Sequence, residues 1–242
     1  KDINKINSSI SFVFLFFSLF LIILEYFTSL SNNFLSTTIC LFFILVIGVS
    51  HGSLDHLKGY KLLKYYKINN KFIFYILYIF LSCVIITIWI FKPTFMLILF
   101  LVVASYHFGK EDTWGETKTF MAVEINYFLK GFLIILLPLL LSFNETLEIF
   151  NTLGVRNQEF YNTLIFLNDN NFFPYLVIIS FLANLTLHMK TDANKYKYMP
   201  DIISIYALYY VFNPLIAFTV YFCFLHSVRH SASLINDMKI NL

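Results

Sequence analysis

The sequence predicts an all-α protein, a polytopic transmembrane helical bundle, and three properties predict that class: high hydrophobicity, low charge and the length of the apolar runs. Of the 242 residues, 59% are hydrophobic and 13% are charged, whereas about a quarter of the residues in a typical soluble domain are charged. The apolar residues fall in runs of about 18 to 23, the length of helix that crosses a hydrocarbon core roughly 30 Å thick. Since no internal repeat or low-complexity linker divides the chain, we expect a single membrane-embedded domain over residues 1–242.

About eight spans are predicted, and seven are possible because one of them is short. They cover residues 9–31, 34–52, 72–91, 93–108, 119–143, 172–189, 199–212 and 213–233. Pro93, Pro200 and Pro214 lie where spans begin, because the first turn of a helix tolerates a missing N–H. The first apolar run is too long for a secretory signal and is interpreted as a retained helix.

The distribution of Lys and Arg predicts the orientation of these spans. With the N-terminus in the cytoplasm, the inside segments carry fourteen of these residues and the outside segments carry only Lys92 and Arg156. Positive residues concentrate in cytoplasmic loops. We therefore expect both termini to be cytoplasmic, in a multi-pass protein of the inner cell membrane. The net charge of +3 comes from these loop lysines and gives no reason to expect nucleic acid as a partner.

All six histidines fall at the cytoplasmic ends of the four spans that run from outside to inside. They are His51, His56, His107, His188, His226 and His230. Residues scattered along the chain thus converge at one depth, and we interpret this convergence as a transition-metal site near the cytoplasmic face.

The last span carries the most specific of these patterns. His226 and His230 are spaced i, i+4 and so project from one helix face, where they can chelate one metal ion. The alternative is that both histidines reach to water at the interface. Arg229 could bind a carboxylate or a lipid phosphate, and the phosphate is favoured for an arginine at this depth.

The second span ends in a similar cluster. If the helix continues past Gly52, His51 and Asp55 share a face, while His56 is rotated by roughly 140° from His51. His51 is then the inward ligand, with Asp55 as a second ligand or as a partner that orients an imidazole. His56 belongs either to the site or to the cytoplasmic surface.

Single histidines end the fourth and sixth spans. The depth that His107 shares with the other clusters favours a ligand role, with Glu111 and Asp112 beside it as orienting or solvated acids. For His188 we favour an interfacial residue that hydrogen-bonds Asn184, one turn earlier.

At these residues the sequence resembles the Brp/Blh membrane β-carotene dioxygenases of retinal-forming microbes. The resemblance rests on three ordered motifs, which are His51-Gly-Ser-Leu-Asp55-His56, Tyr106-His107-Phe108-Gly109 followed by Asp112, and His226-Ser-Val-Arg229-His230. Their order and their positions at the ends of alternate spans also match, and together they extend over nearly the whole chain.

The resemblance implies oxygen-dependent cleavage of the central double bond of β-carotene to two molecules of retinal, with O2 as co-substrate. It implies a non-haem Fe2+ bound by His51, His107, His226 and His230, with Asp55, His56 and Asp112 as further motif residues at the catalytic site. It also implies a functional link to a microbial rhodopsin that uses the retinal.

The chemistry of the residues is compatible with this implication. Imidazole suits Fe2+, and four histidines leave coordination positions for dioxygen. Addition of O2 across a C=C bond to give two carbonyls is redox-balanced, so no external reductant is needed. We expect the hydrocarbon to enter sideways from the lipid bilayer and to pack against Phe and Tyr rings.

Three other classes compete with this interpretation. A membrane di-iron desaturase or hydroxylase acting on lipid would use more histidines than the six present. A non-enzymatic haem or metal-binding membrane protein is compatible with the paired histidines, and a Soret band would identify a haem protein. A metal transporter is disfavoured, because histidines confined to one face outline no path across the bilayer.

Overall fold

The fold was obtained as a computed structural model, which describes residues 3–28, 34–52, 55–113, 120–191 and 199–239. The described residues form helices and connecting turns, with no strand among them, so the all-α prediction is confirmed. The helices are α1 (Ile3–Thr28), α2 (Phe34–Gly52), α3 (Asp55–Tyr65), α4 (Phe72–Phe91), α5 (Pro93–Asp112), α6 (Phe120–Leu141), α7 (Phe143–Thr152), α8 (Gln158–Asp169), α9 (Phe172–Thr191), α10 (Met199–Val211), α11 (Pro214–Tyr221), a π-helical segment (Phe222–His226) and α12 (Ser227–Lys239).

Four helices in the described part of the chain are long and apolar enough to cross a membrane. They are Lys5–Thr28 in α1, α4, α5 and Glu124–Leu141 in α6, and the pair α8 and α9, bent by 73°, would make a fifth. The polytopic class is thus borne out, but the count of eight spans is not confirmed. One physical reason is that α10 has only 13 residues, against the roughly 20 that a crossing requires.

The predicted proline breaks are confirmed at two positions. Pro93 opens α5 directly after α4 ends. Pro214 opens α11, and the side chain of Asn213 caps that helix by accepting a hydrogen bond from the backbone N–H of Ile216 at 2.9 Å. Each proline therefore lies where its missing N–H costs nothing.

Three helices, α3, α7 and α8, were not predicted, since their segments are short and partly polar. The basic helix α3 follows α2, while α7 and α8 lie between α6 and α9. The start of α8 is capped by Asn157, whose side chain accepts a hydrogen bond from the N–H of Phe160 at 2.8 Å. Local capping and packing were enough to form helices where the apolar runs were too short to indicate them.

The contact between α5 and α6 sets the position of the candidate site. A Cβ atom added to Gly109 would overlap the carbonyl oxygen of Tyr127, and one added to Gly131 would overlap the carbonyl oxygen of Ser105. Only glycine permits this approach of two backbones. The crossing brings the C-terminal end of α5, with His107 and Asp112, against the N-terminal half of α6.

Candidate active site

The π-helical segment places the last two histidines in the interior of the bundle. His226 is its final residue and is 0% exposed, while His230 in α12 is 3% exposed. Single turns of π-helix inside α-helices occur frequently at functional sites, since they change which side chains share a face. The alternative that these histidines reach to water at the interface is therefore wrong.

Three histidines come together at this point. The ring centroid of His107, from α5, lies 5.2 Å from that of His226 and 6.2 Å from that of His230. Phe108 packs edge to face on His226, with the centroids 4.8 Å apart. His226 and His230 thus face His107 of α5, as the shared depth predicted for these residues along their spans suggests.

Two adjacent carboxylates of α5 contact the two histidines of the last helix. Oδ1 of Asp112 lies 3.6 Å from Nδ1 of His226, and Oε2 of Glu111 lies 3.2 Å from Nδ1 of His230. Carboxylates in this position fix the tautomer and orientation of an imidazole, so that Nε2 is the nitrogen presented to a metal. Asp112 is 1% exposed, which rules out the alternative that it is a solvated loop acid.

Asp112 also belongs to a network of buried charges. Nη2 of Arg229 lies 2.9 Å from both carboxylate oxygens of Asp201 and donates to Oγ of Ser11 at 2.6 Å. Nη1 of Arg229 lies 3.8 Å from Oδ1 of Asp112. Arg229 is only 1% exposed, so the expectation that it binds a lipid phosphate is wrong and a carboxylate is its partner.

Two further side chains of this network hold Asp112. The hydroxyl of Tyr221 donates to Oδ2 of Asp112 at 2.5 Å. Nζ of Lys130 donates to the backbone carbonyl of Asp112 and lies 4.0 Å from Oδ2 of Asp201. Buried ions persist only when they are paired and hydrogen-bonded. The network therefore anchors the carboxylate that contacts His226.

The structure leaves part of the prediction for the second span open. His51 lies near the end of α2 and Asp55 at the start of α3, and the side chains of both lie outside what the structure describes. Residues 53 and 54, which connect the two helices, also lie outside the described ranges, so the i, i+4 relation of His51 and Asp55 stays a prediction. His56 is half-buried and packs edge to face on Tyr60, with the centroids 5.5 Å apart. His188 lies in α9, and its side chain and that of Asn184 also fall outside the described residues.

Four residues of the site were not singled out from the sequence. They are Ser11, Lys130, Asp201 and Tyr221. For two of them a signal existed, since Lys130 and Asp201 are ionisable residues within or beside apolar runs, and such residues tend to be buried, paired and functional. Ser11 and Tyr221 carry no comparable signal, as hydroxyl groups are common in apolar helices.

Imidazole nitrogens are donors of the kind that bind a metal ion, but the separations of the three histidine rings fit one ion only in part. With metal–nitrogen distances of about 2.0–2.1 Å, the centroids of two imidazoles on one ion lie roughly 4.5–5.3 Å apart when the N–metal–N angle is about 90–110°. The His107–His226 separation fits this range and the His107–His230 separation exceeds it. Within the described ranges, no group of three or more His, Cys, Asp or Glu side chains is close enough to hold a metal ion. The buried imidazoles and their orienting carboxylates nevertheless fit a metal centre by their chemistry.

The chain is similar in sequence to known proteins. The family model described as "Beta-carotene 15,15'-dioxygenase" matches residues 42–241. A curated protein of that name from the uncultured marine bacterium 66A03 is 28% identical over 196 residues, which cover 77% of this chain and 65% of the relative. The chain thus spans slightly less than two thirds of that relative's length. No solved structure matches.

Proposed function

The chain belongs to the β-carotene 15,15'-dioxygenase family, and from that premise we propose that it cleaves the central double bond of β-carotene with O2 to give two molecules of retinal. The reaction would take place at an Fe2+ ion bound by His51, His107, His226 and His230. The observation that carries the proposal is the cluster of His107, His226 and His230 in the bundle interior, with a carboxylate at Nδ1 of each of the last two.

Each described side chain has a task in this proposal. Glu111 and Asp112 hold His230 and His226 with Nε2 directed to the metal. Tyr221 and Arg229 hold Asp112 in turn, so the imidazole cannot rotate out of position. Asp55 and His56 are proposed to complete the site from the start of α3. When bound, Fe2+ supplies the activation of dioxygen that a closed-shell polyene requires.

The buried location of the site matches the substrate. β-Carotene is a hydrocarbon dissolved in the bilayer, and the rings of Phe108 and Phe222 pack against His226, with centroids 4.8 and 5.8 Å away. A wall of apolar rings excludes water from the oxidation step. It binds the polyene by burying apolar surface rather than by polar contacts. We propose that the carotenoid reaches this wall sideways, between helices.

The wider cellular assignment is also proposed. The whole chain would act as a single multi-pass domain of the inner cell membrane, with both termini and the metal site on the cytoplasmic side, as the positive residues predict. Its product would serve a microbial rhodopsin.

A cell assay tests the proposal directly. The chain is expressed in bacteria that make β-carotene, and retinal is quantified by chromatography beside the His107→Ala and His226→Ala variants. Retinal is expected from the wild type and from neither variant at matched expression. His188→Ala serves as the control, because His188 is predicted to lie at the interface, and it should still produce retinal.

The same assay can reject the proposal. If the wild type is well expressed and loaded with iron but leaves β-carotene intact, the substrate assignment fails. A Soret band in the purified protein would instead indicate haem.

A further inference from the structure

The helix α3 and the turn that follows it form a basic surface, which we name the α3 surface. It carries five exposed lysines within fourteen residues, Lys58, Lys61, Lys64, Lys67 and Lys71. From residue 56 to residue 110 the sequence contains no Asp or Glu. The positive charge of the α3 surface is therefore not neutralised by acids of its own segment.

The position of α3 is fixed by contacts with the start of α4. A Cβ atom added to Gly59 would overlap the ring of Phe74, and the hydroxyl oxygens of Tyr60 and Tyr75 are 2.6 Å apart. Nζ of Lys71 lies 4.9 Å from the centre of the Tyr60 ring. Phe74 and Tyr75 belong to the first turn of α4, which is long and apolar enough to cross a membrane. The helix α3 therefore lies at the level where this span enters the lipid.

Large apolar side chains of the α3 surface are exposed beside the lysines. Leu62, Tyr65 and Tyr66 are each more than half exposed, whereas Gly59 and Leu63 are buried. Tyrosine and leucine at the level of the lipid head groups are typical of helices that lie in the membrane interface. We therefore expect the exposed apolar groups to contact acyl chains rather than water.

The lysines and Leu62 occupy neighbouring sides of α3. With roughly 100° between successive residues, Lys58, Lys61 and Lys64 cover an arc of roughly 120°, and Leu62 lies roughly 40° beyond Lys58. A helix lying flat on the membrane can direct Leu62 inward while the long lysine stems carry their ammonium groups to the phosphates. One ligand can therefore contact the apolar and the basic side chains at the same time.

An anionic phospholipid matches both parts of the α3 surface. Its phosphate is complementary to the lysines, and its acyl chains cover Leu62 and Tyr66. An acidic protein would be complementary only to the lysines, and it would leave the apolar side chains uncovered at the depth of the lipid. The combination of charge, exposed apolar groups and depth therefore favours the lipid.

We propose that the α3 surface binds anionic phospholipids of the surrounding leaflet, with their phosphates on Lys58, Lys61 and Lys64. The bound lipid lies close to the candidate metal centre, because the charge of Lys58 acts on His107 and Glu111. This inference is independent of the proposed function, since it concerns a surface outside the histidine cluster.

Site-directed spin labelling tests the depth of α3. A nitroxide is attached at Leu62→Cys in a Cys83→Ser background, because Cys83 is exposed while Cys40 and Cys223 are buried. The full-length protein is placed in nanodiscs of phosphatidylcholine and phosphatidylglycerol. The label should be more accessible to oxygen than to a water-soluble nickel chelate, like a reference label at Phe80→Cys in the middle of α4. Greater accessibility to the nickel chelate would place Leu62 in water and overturn the proposal.

A titration tests the choice of head group. The full-length protein in detergent micelles carries a bimane at the same Leu62→Cys position and is titrated with dioctanoylphosphatidylglycerol or dioctanoylphosphatidylcholine. The affinity for phosphatidylglycerol should be higher by about tenfold or more, and Lys61→Gln/Lys64→Gln should reduce this preference by about fivefold or more, since each lysine near an anionic surface contributes about 1 kcal/mol.

A matched variant removes the same charge elsewhere. Lys5→Gln/Lys92→Gln neutralises two exposed lysines outside the α3 surface and should retain the preference, as should Lys61→Arg/Lys64→Arg. Equal affinity for both lipids would assign the lysines to water or to an acidic protein and overturn the proposal, as would an equal loss in the two Lys→Gln variants. Neither measurement needs iron or a carotenoid, so failure of lipid binding is distinguishable from failure of cleavage.

Discussion

The two faces of the last helix bury polar groups in different ways. On one face, His226 and His230 meet His107, and each is contacted by one carboxylate. On the other face, Arg229 is held by Asp201 and Ser11, with Lys130 close to the same carboxylate. The first face presents groups that can bind a metal ion. The second is a set of permanent charges that compensate one another.

The histidine face of the last helix is suited to metal binding, whereas the arginine face is suited to stabilising the fold. Imidazoles can exchange a proton for a metal ion, whereas a guanidinium remains charged and cannot. Asp112 of α5 contacts both faces of the last helix, since it lies 3.6 Å from His226 and 3.8 Å from Arg229. We therefore expect changes on the histidine face to affect iron binding, changes on the arginine face to affect stability, and changes at Asp112 to affect both.

The largest effect is expected on the histidine face. His226→Ala removes a proposed ligand, and the affinity for Fe2+ should fall by more than about a hundredfold, beyond what loss of an orienting partner alone causes. Iron content after purification and a chelator titration measure it. Retention of stoichiometric iron would contradict the ligand role, and His188→Ala is the matched control.

On the arginine face the main effect should be on folding. Arg229→Met leaves Asp201 and Asp112 without their main cation in an apolar interior, and breaking a buried pair in this way costs about 3–5 kcal/mol. Unfolding in mixed micelles by SDS titration measures the loss. Arg156→Met, at an exposed position, should have no effect, and equal stability of the two variants would show that the network does not support the fold.

Replacement of Asp112 sharpens the comparison, because this residue connects the two faces. Asp112→Asn keeps the volume but weakens its contacts with both His226 and Arg229. The affinity for iron should fall roughly 10–100-fold, with a smaller loss of stability than in Arg229→Met. The same chelator titration measures it, with the exposed Asp169→Asn as control. Unchanged iron affinity would remove Asp112 from the orienting role.

The smallest effect is expected at Ser11 of α1, which accepts a hydrogen bond from Arg229. Ser11→Ala removes one hydrogen bond to a charged group, which contributes about 1.5–3 kcal/mol. Iron affinity should not change, since Ser11 contacts only the arginine face. Ser9→Ala, at an exposed position, is the control. A loss of iron in Ser11→Ala with normal stability would show that the two faces are not independent.

Much of the architecture could be predicted from the sequence. Run length and low charge predict membrane helices because the bilayer requires them, and Pro93 and Pro214 mark helix starts for a local steric reason. The spacing of His226 and His230 places both on one helix face, and the shared depth of His107 indicates that it can meet them. Helix period and depth along a span are local properties, so one chain is enough to predict them.

The partners of Arg229 were decided by the tertiary structure alone. Asp201 is 28 residues away in the chain and Ser11 is 218 residues away. Periodicity indicates which face of a helix is polar but not which helix lies against that face. The approach of α5 to α6 at Gly109 and Gly131, and the packing of α1 against both α10 and α12, make those assignments. Hydropathy thus determined the class of the protein, and the spacing of the histidines determined the depth of the site. Helix packing decided which buried charges pair with one another.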